Sequence, residues 1–133
     1  MDLTAPAQAA ALWTGLHLLL LLVLSVLVFR QRREHQTPIG EGEAPALGQA
    51  VRAFRGAALY APAGLIGLTV LALAGAAPAV IHVMGVTLFA GRVVEAVALS
   101  RGSEASVLRS TGVVLTWLSW LAVAVALIFY AVP

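Results

Sequence analysis

Four runs of mostly apolar residues, each long enough to cross a bilayer as a helix, divide this chain and fix its class. A spanning helix needs about 20 predominantly apolar residues. The sequence supplies such runs at about 9–29, 49–74, 79–99 and 107–132. Between them lie a polar stretch holding Thr37-Pro38-Ile39-Gly40, Gly42 and Pro45, a tight Gly75-Ala76-Ala77-Pro78 turn, and the segment 100–106. Gly, Pro and polar residues in that pattern mark loops. Of the 133 residues 61% are hydrophobic and only 11% charged, with mean hydropathy +0.97. A soluble domain carries about 25% charged residues. So little polar surface could not cover a water-soluble core. Soluble, disordered, fibrous and nucleic-acid-binding classes are excluded together. The predicted fold is an all-α integral membrane bundle of four transmembrane helices, a single domain over 1–133.

Several chemistries are missing from the sequence. It contains no cysteine, so it offers no disulfide framework, thiolate metal site or cysteine nucleophile. No His or carboxylate group stands at metal-ligand spacing, and no metal is predicted. Phosphate-loop, nucleophile-elbow and dinucleotide fingerprints are likewise missing. The first apolar run is too long for the core of a cleavable signal peptide and lacks a basic segment before it, so it reads as a retained helix.

The basic residues are all arginine, and their placement sets an orientation. Arg30, Arg32, Arg33, Arg52 and Arg55 flank the first loop, and Arg101 and Arg109 flank the third. Positive charge collects on the cytoplasmic side. Loops one and three are therefore expected in the cytoplasm and both termini outside it.

Most of these arginines can simply snorkel to the headgroups, which is the reading for Arg32, Arg33 and Arg101. Arg92 differs, because it lies about 12 Å inside the third span at 1.5 Å per residue. A charge there faces the bundle interior or a partner. Glu95, three residues on, shares its helix face and can pair with it. The plainest role is a structural ion pair. Arg30, Arg52, Arg55 and Arg109 fall in the same leaflet, however, and five arginines against one carboxylate leave positive charge over. A partly desolvated basic cleft suits a small polyanion, since guanidinium binds carboxylates bidentately. Ala53, Gly56, Ala57 and Ala61 allow close helix approach there, and Pro62 is expected to bend the second span. His17 and His82 read as packing residues. Trp13, Trp117, Trp120 and Tyr130 read as interfacial or lipid-facing aromatics.

At these positions the chain resembles the MAPEG family, the membrane-associated proteins in eicosanoid and glutathione metabolism. The run Arg52-Ala53-Phe54-Arg55-Gly56-Ala57-Ala58-Leu59-Tyr60-Ala61-Pro62 looks like a degenerate copy of the second-helix signature R-A-H-x-N-x-x-E-x-x-P. Phe29-Arg30-Gln31-Arg32-Arg33 resembles the basic end of the family's first helix. Ile39-Gly40-Glu41-Gly42 with the run Leu47 to Val51 resembles the first loop of bacterial members. Gly91-Arg92-Val93-Val94-Glu95-Ala96 resembles the third-helix G-R-x-x-H-A, and Arg109-Ser110 the R-S pair opening helix four. The likeness runs from about Leu16 to Trp120.

The resemblance implies a homotrimer in a bacterial inner membrane, with glutathione or a similar thiol bound between subunits on the cytoplasmic side. It implies transferase or peroxidase activity on lipophilic small molecules. By position, Arg30, Arg52, Arg55 and Arg92 match residues that line or support the glutathione site, and Arg109 or Ser110 the group that steadies the thiolate. Guanidinium lowers a thiol pKa from near 8.5 and so raises the thiolate fraction. The sequence also departs from the pattern. The family Asn falls on Gly56, its Glu on Leu59, its third-helix His on Glu95 and a following Tyr on Leu99. Glu95 is a candidate replacement for the lost carboxylate. Loss of two ligand-holding groups also fits a different class, a non-catalytic lipid-binding or structural bundle.

Overall fold

The computed structural model describes residues 2–102 and 107–133. It contains helices α1 (Thr4–Glu34), α2 (Pro45–Leu73), α3 (Pro78–Ser100) and α4 (Val107–Ala131). All four are long and apolar enough to cross a membrane.

The helix ends follow from local chemistry. Helix α1 continues past Phe29 to Glu34, because Arg, Gln and Glu are good helix formers outside the bilayer as well as in it. It closes where Gln36 takes a left-handed φ of 53° and the Thr37 N–H donates to the Arg32 carbonyl at 2.9 Å. Helix α2 starts earlier than its apolar run, with Pro45 in its first turn, where a missing N–H costs nothing. Its far end is a Schellman closure. Gly75 sits at φ 82°, and the Ala76 N–H donates to the Leu71 carbonyl at 3.1 Å. Pro78 then opens α3. Helix α2 runs without interruption through Pro62, which lies on its exposed side. Residues 103–106 of the expected third loop lie outside the described residues.

Helices α2 and α3 form the centre. Helix α1 packs against both from one side and α4 against both from the other, and α1 and α4 do not touch among the described residues. One apolar cluster joins Ala9, Leu68, Leu71, Ile81 and Val123 towards the end of the bundle that carries the α2–α3 turn. A second joins Leu24, Ala53, Ala57, Ala96 and Leu99 towards the loop-one end. The bundle is otherwise inside-out. His17, Arg92, Glu95, Thr116 and Ser119 are buried while Leu18, Leu22, Trp117 and Leu118 are more than half exposed. That distribution suits hydrocarbon as the surrounding solvent.

The aromatic residues divide. Trp117 and Tyr130 face outward as expected. Trp13 does not: it turns inward against the core, and its indole N–H donates to His82 Nδ1 at 3.1 Å. Gly85 leaves the room, because any Cβ there would run into the indole. Trp120 is half-buried and stacks on Tyr60 with ring centroids 5.6 Å apart. Both rings tie helices together instead of anchoring an interface. His17 is buried, donates from Nδ1 to the Trp13 carbonyl at 2.6 Å and meets Phe89 edge-on, in keeping with a packing role.

Candidate functional site

Close approach of α3 and α4 creates the buried end of the site. A Cβ on Gly112 would lie 2.8 Å from the Gly91 carbonyl oxygen, and one on Gly91 would lie 2.8 Å from the Gly112 carbonyl oxygen. Backbone cannot yield as a side-chain tip can, so both positions need glycine. This crossing brings Thr116 of α4 over Arg92 of α3.

Arg92 is fully enclosed, with 1% of its surface exposed. Its Nε and Nη2 donate to Thr116 Oγ1 at 2.9 and 2.6 Å, and Nη1 donates to the Gly56 carbonyl at 3.3 Å. Nη1 also pairs with the Glu95 carboxylate. The guanidinium lies over the Tyr60 ring, 4.9 Å from its centroid, a cation–π geometry. Thr116 in turn donates to the Gly112 carbonyl at 3.0 Å. One side chain thus joins α2, α3 and α4.

Above this knot lies a cleft of about 250 Å³ walled by Arg52, Arg55, Gly56, Leu59, Tyr60, Glu95, Leu99 and Arg109. Glu95 connects the two levels. One carboxylate oxygen meets Arg92, and Oε1 lies 3.9 Å from Arg109 Nε. Arg52 and Arg55 each approach Glu41 of loop one at 3.7 Å. Leu59 sits at the lip, 67% exposed, with Arg55 one turn before it on α2.

The residues singled out in the sequence therefore occupy three places. Arg52, Arg55, Glu95 and Arg109 share the cleft wall. Arg92 lies beneath it, engaged on every side, and supports Glu95 and Gly56 without facing the opening. Arg30, on the exposed side of α1, and Ser110, exposed in the first turn of α4, stand outside the cleft wall. Three participants were not singled out: Tyr60, Thr116 and Glu41. Tyr60 follows Leu59 within the second-helix signature, so the sequence already places it at this depth. Thr116 was hidden, because only the α3–α4 crossing pairs it with Arg92. Glu41 lies in a loop, and nothing in the sequence encodes that the loop folds back.

The arrangement can hold an anion. Three guanidinium groups and a phenol converge on a partly enclosed space with an apolar lip, and that set favours carboxylate or thiolate. Nothing in the wall favours an ammonium group, since Glu95 is already committed to Arg92 and Arg109 and Leu59 stands where a second carboxylate would help.

Comparison with protein-family models matches the chain to the MAPEG family over residues 10–129. That stretch takes in nearly all of α1, all of α2 and α3, and α4 almost to its end. Comparisons with curated proteins and with solved structures give no match.

Proposed function

The chain belongs to the MAPEG family, and we propose that it binds glutathione or a similar thiol at the arginine cleft and presents it to lipophilic electrophiles, as a transferase or peroxidase. The observation that carries this reading is the convergence of Arg52, Arg55 and Arg109 on one cleft. Glutathione would supply a thiol nucleophile. Arg52 and Arg55, one turn apart on α2, would clamp its carboxylates. Arg109, in the first turn of α4, would favour the thiolate over the thiol, aided by the positive end of the helix dipole. Leu59 and Leu99 would face the apolar co-substrate arriving from the bilayer.

The cleft of one protomer is small. Its volume of about 250 Å³ falls below the roughly 300–1,000 Å³ of ordinary small-molecule sites. A neighbouring copy would enclose it, and we take the assembly to be a homotrimer in which Arg30 approaches from the next subunit. Native mass spectrometry from mild detergent, with added glutathione, reads both features at once. It should show a dominant threefold species carrying glutathione adducts. A clean monomer without adducts across several detergents would remove the reading.

The second reading is a lipid-binding bundle without catalysis, favoured by Leu59 at the lip. In the same experiment adducts would then appear with a fatty acid and not with glutathione. Either way we place the cleft on the cytoplasmic face of a bacterial inner membrane, with both termini on the other side. A reporter active only in the cytoplasm, fused after Pro133, should stay silent. A strong signal would mean an inverted bundle.

A further inference from the structure

Loop one folds a carboxylate onto the cleft. Glu41 places Oε1 3.7 Å from Arg55 Nη1 and Oε2 3.7 Å from Arg52 Nη1. Each oxygen thus faces a different guanidinium, as a ligand carboxylate held between the two would. Glu41 is flanked by Gly40 at φ 79° and Gly42 at φ 63°. Left-handed backbone on both sides lets the loop turn sharply enough to aim this one side chain at α2. Glu43, two residues on, has no ion-pair partner among the described residues.

The two carboxylates near the cleft differ in kind. Glu95 is buried and fixed by Arg92, so no ligand can take its place without breaking the bundle. Glu41 is part exposed, as are Arg52 and Arg55, and ion pairs at such positions are weak. A weak, solvent-accessible pair on a glycine-flanked loop can exchange.

We infer that Glu41 is a built-in competitor, a loop-one strap whose carboxylate occupies the Arg52–Arg55 clamp at rest and is displaced by an anionic ligand. This rests on the proposed role of those arginines and adds regulation to it. At rest the strap neutralises two like charges one turn apart, which would otherwise repel. When ligand arrives, its carboxylate replaces that of Glu41 and loop one is released into the cytoplasm. Apparent affinity is lowered by the fraction of molecules with the strap closed.

Two measurements test the strap on the full chain in lipid nanodiscs. In the first, glutathione is titrated against wild type, Glu41→Gln and Glu43→Gln. The second variant makes the same change of charge in the same loop without touching the arginines. Glu41→Gln should bind about two- to tenfold tighter, as expected for release of two exposed pairs, and Glu43→Gln should match wild type. Where glutathione binds the wild type, equal gains in both variants would reduce the effect to bulk charge, and no gain in Glu41→Gln would overturn the strap. In the second, a nitroxide is attached through Glu43→Cys, a unique site because the chain has no cysteine. Without ligand, adding Glu41→Gln should mobilise the label; unchanged spectra would overturn the strap whatever glutathione does. If that substitution mobilises the label while glutathione neither binds nor moves it in any variant, the strap stands and the glutathione reading fails.

Discussion

Arg92→Met should destabilise the bundle by about 3–5 kcal/mol, the penalty for removing one partner of a buried ion pair. The reason is what remains. Glu95 is 2% exposed, and without Arg92 it keeps, among the described residues, only the longer contact to Arg109 Nε at 3.9 Å. The α2 and α4 attachments through Gly56 and Thr116 disappear in the same step. The double variant Arg92→Met with Glu95→Met should recover most of the loss, because an apolar pair of similar volume often replaces a buried ion pair without penalty. Unfolding in mixed detergent micelles, followed by far-UV circular dichroism, would give both values. If the double variant is as unstable as the single one, the hydrogen bonds to Thr116 and Gly56 dominate and the stranded charge does not. If Arg92→Met alone costs under about 1 kcal/mol, Arg92 is no keystone at all.

That pair shows how far the sequence reaches. Depth along an apolar run singles out Arg92, and a spacing of three pairs it with Glu95, both through helix geometry alone. The four spans are legible for the same reason: hydrocarbon imposes a length on them. Helix ends are less legible, because the run Arg30 to Glu34 is helical outside any apolar constraint. The Trp13–His82 contact and the Arg92–Thr116 contact join residues 69 and 24 positions apart, and no periodicity encodes which residues meet when helices cross. The convergence of Arg52, Arg55 and Arg109 is intermediate. A shared leaflet follows from span order, whereas a shared cleft depends on α4 packing against both α2 and α3. Glu41 depends on the course of a loop between two left-handed glycines, which composition does not specify.

The largest functional effect is expected at Leu59 and Gly56, where the chain departs from its family's pattern. Leu59→Glu with Gly56→Asn should raise glutathione affinity at least about tenfold, since one regained charge-assisted hydrogen bond is worth about 1.5–3 kcal/mol and 1.4 kcal/mol is one decade. The structure has room for a longer side chain at position 59 and for a Cβ at position 56. Leu59 is 67% exposed at the lip, so a carboxylate there stays solvated until a ligand ammonium reaches it. A Cβ on Gly56 would lie 3.5 Å from Leu99 Cδ1 and 3.6 Å from Glu95 Oε1, ordinary contact distances that leave the Arg92 bond to the Gly56 carbonyl in place. One competing contact must be counted. The new carboxylate would stand one turn after Arg55 and could pair with it, which would weaken the clamp that holds the ligand's own carboxylate. Such an exposed pair offsets only about 0.3–0.5 kcal/mol, well short of the gain. Calorimetric titration of wild type and double variant in one detergent would measure the difference. Unchanged affinity in a folded oligomer would mean that the cleft is shaped for something other than a zwitterionic peptide. Binding of a fatty acid and of an uncharged fatty alcohol that falls alike in the double variant would then identify Leu59 as the wall of an acyl-chain site, because the alcohol has no carboxylate for the new charge to repel.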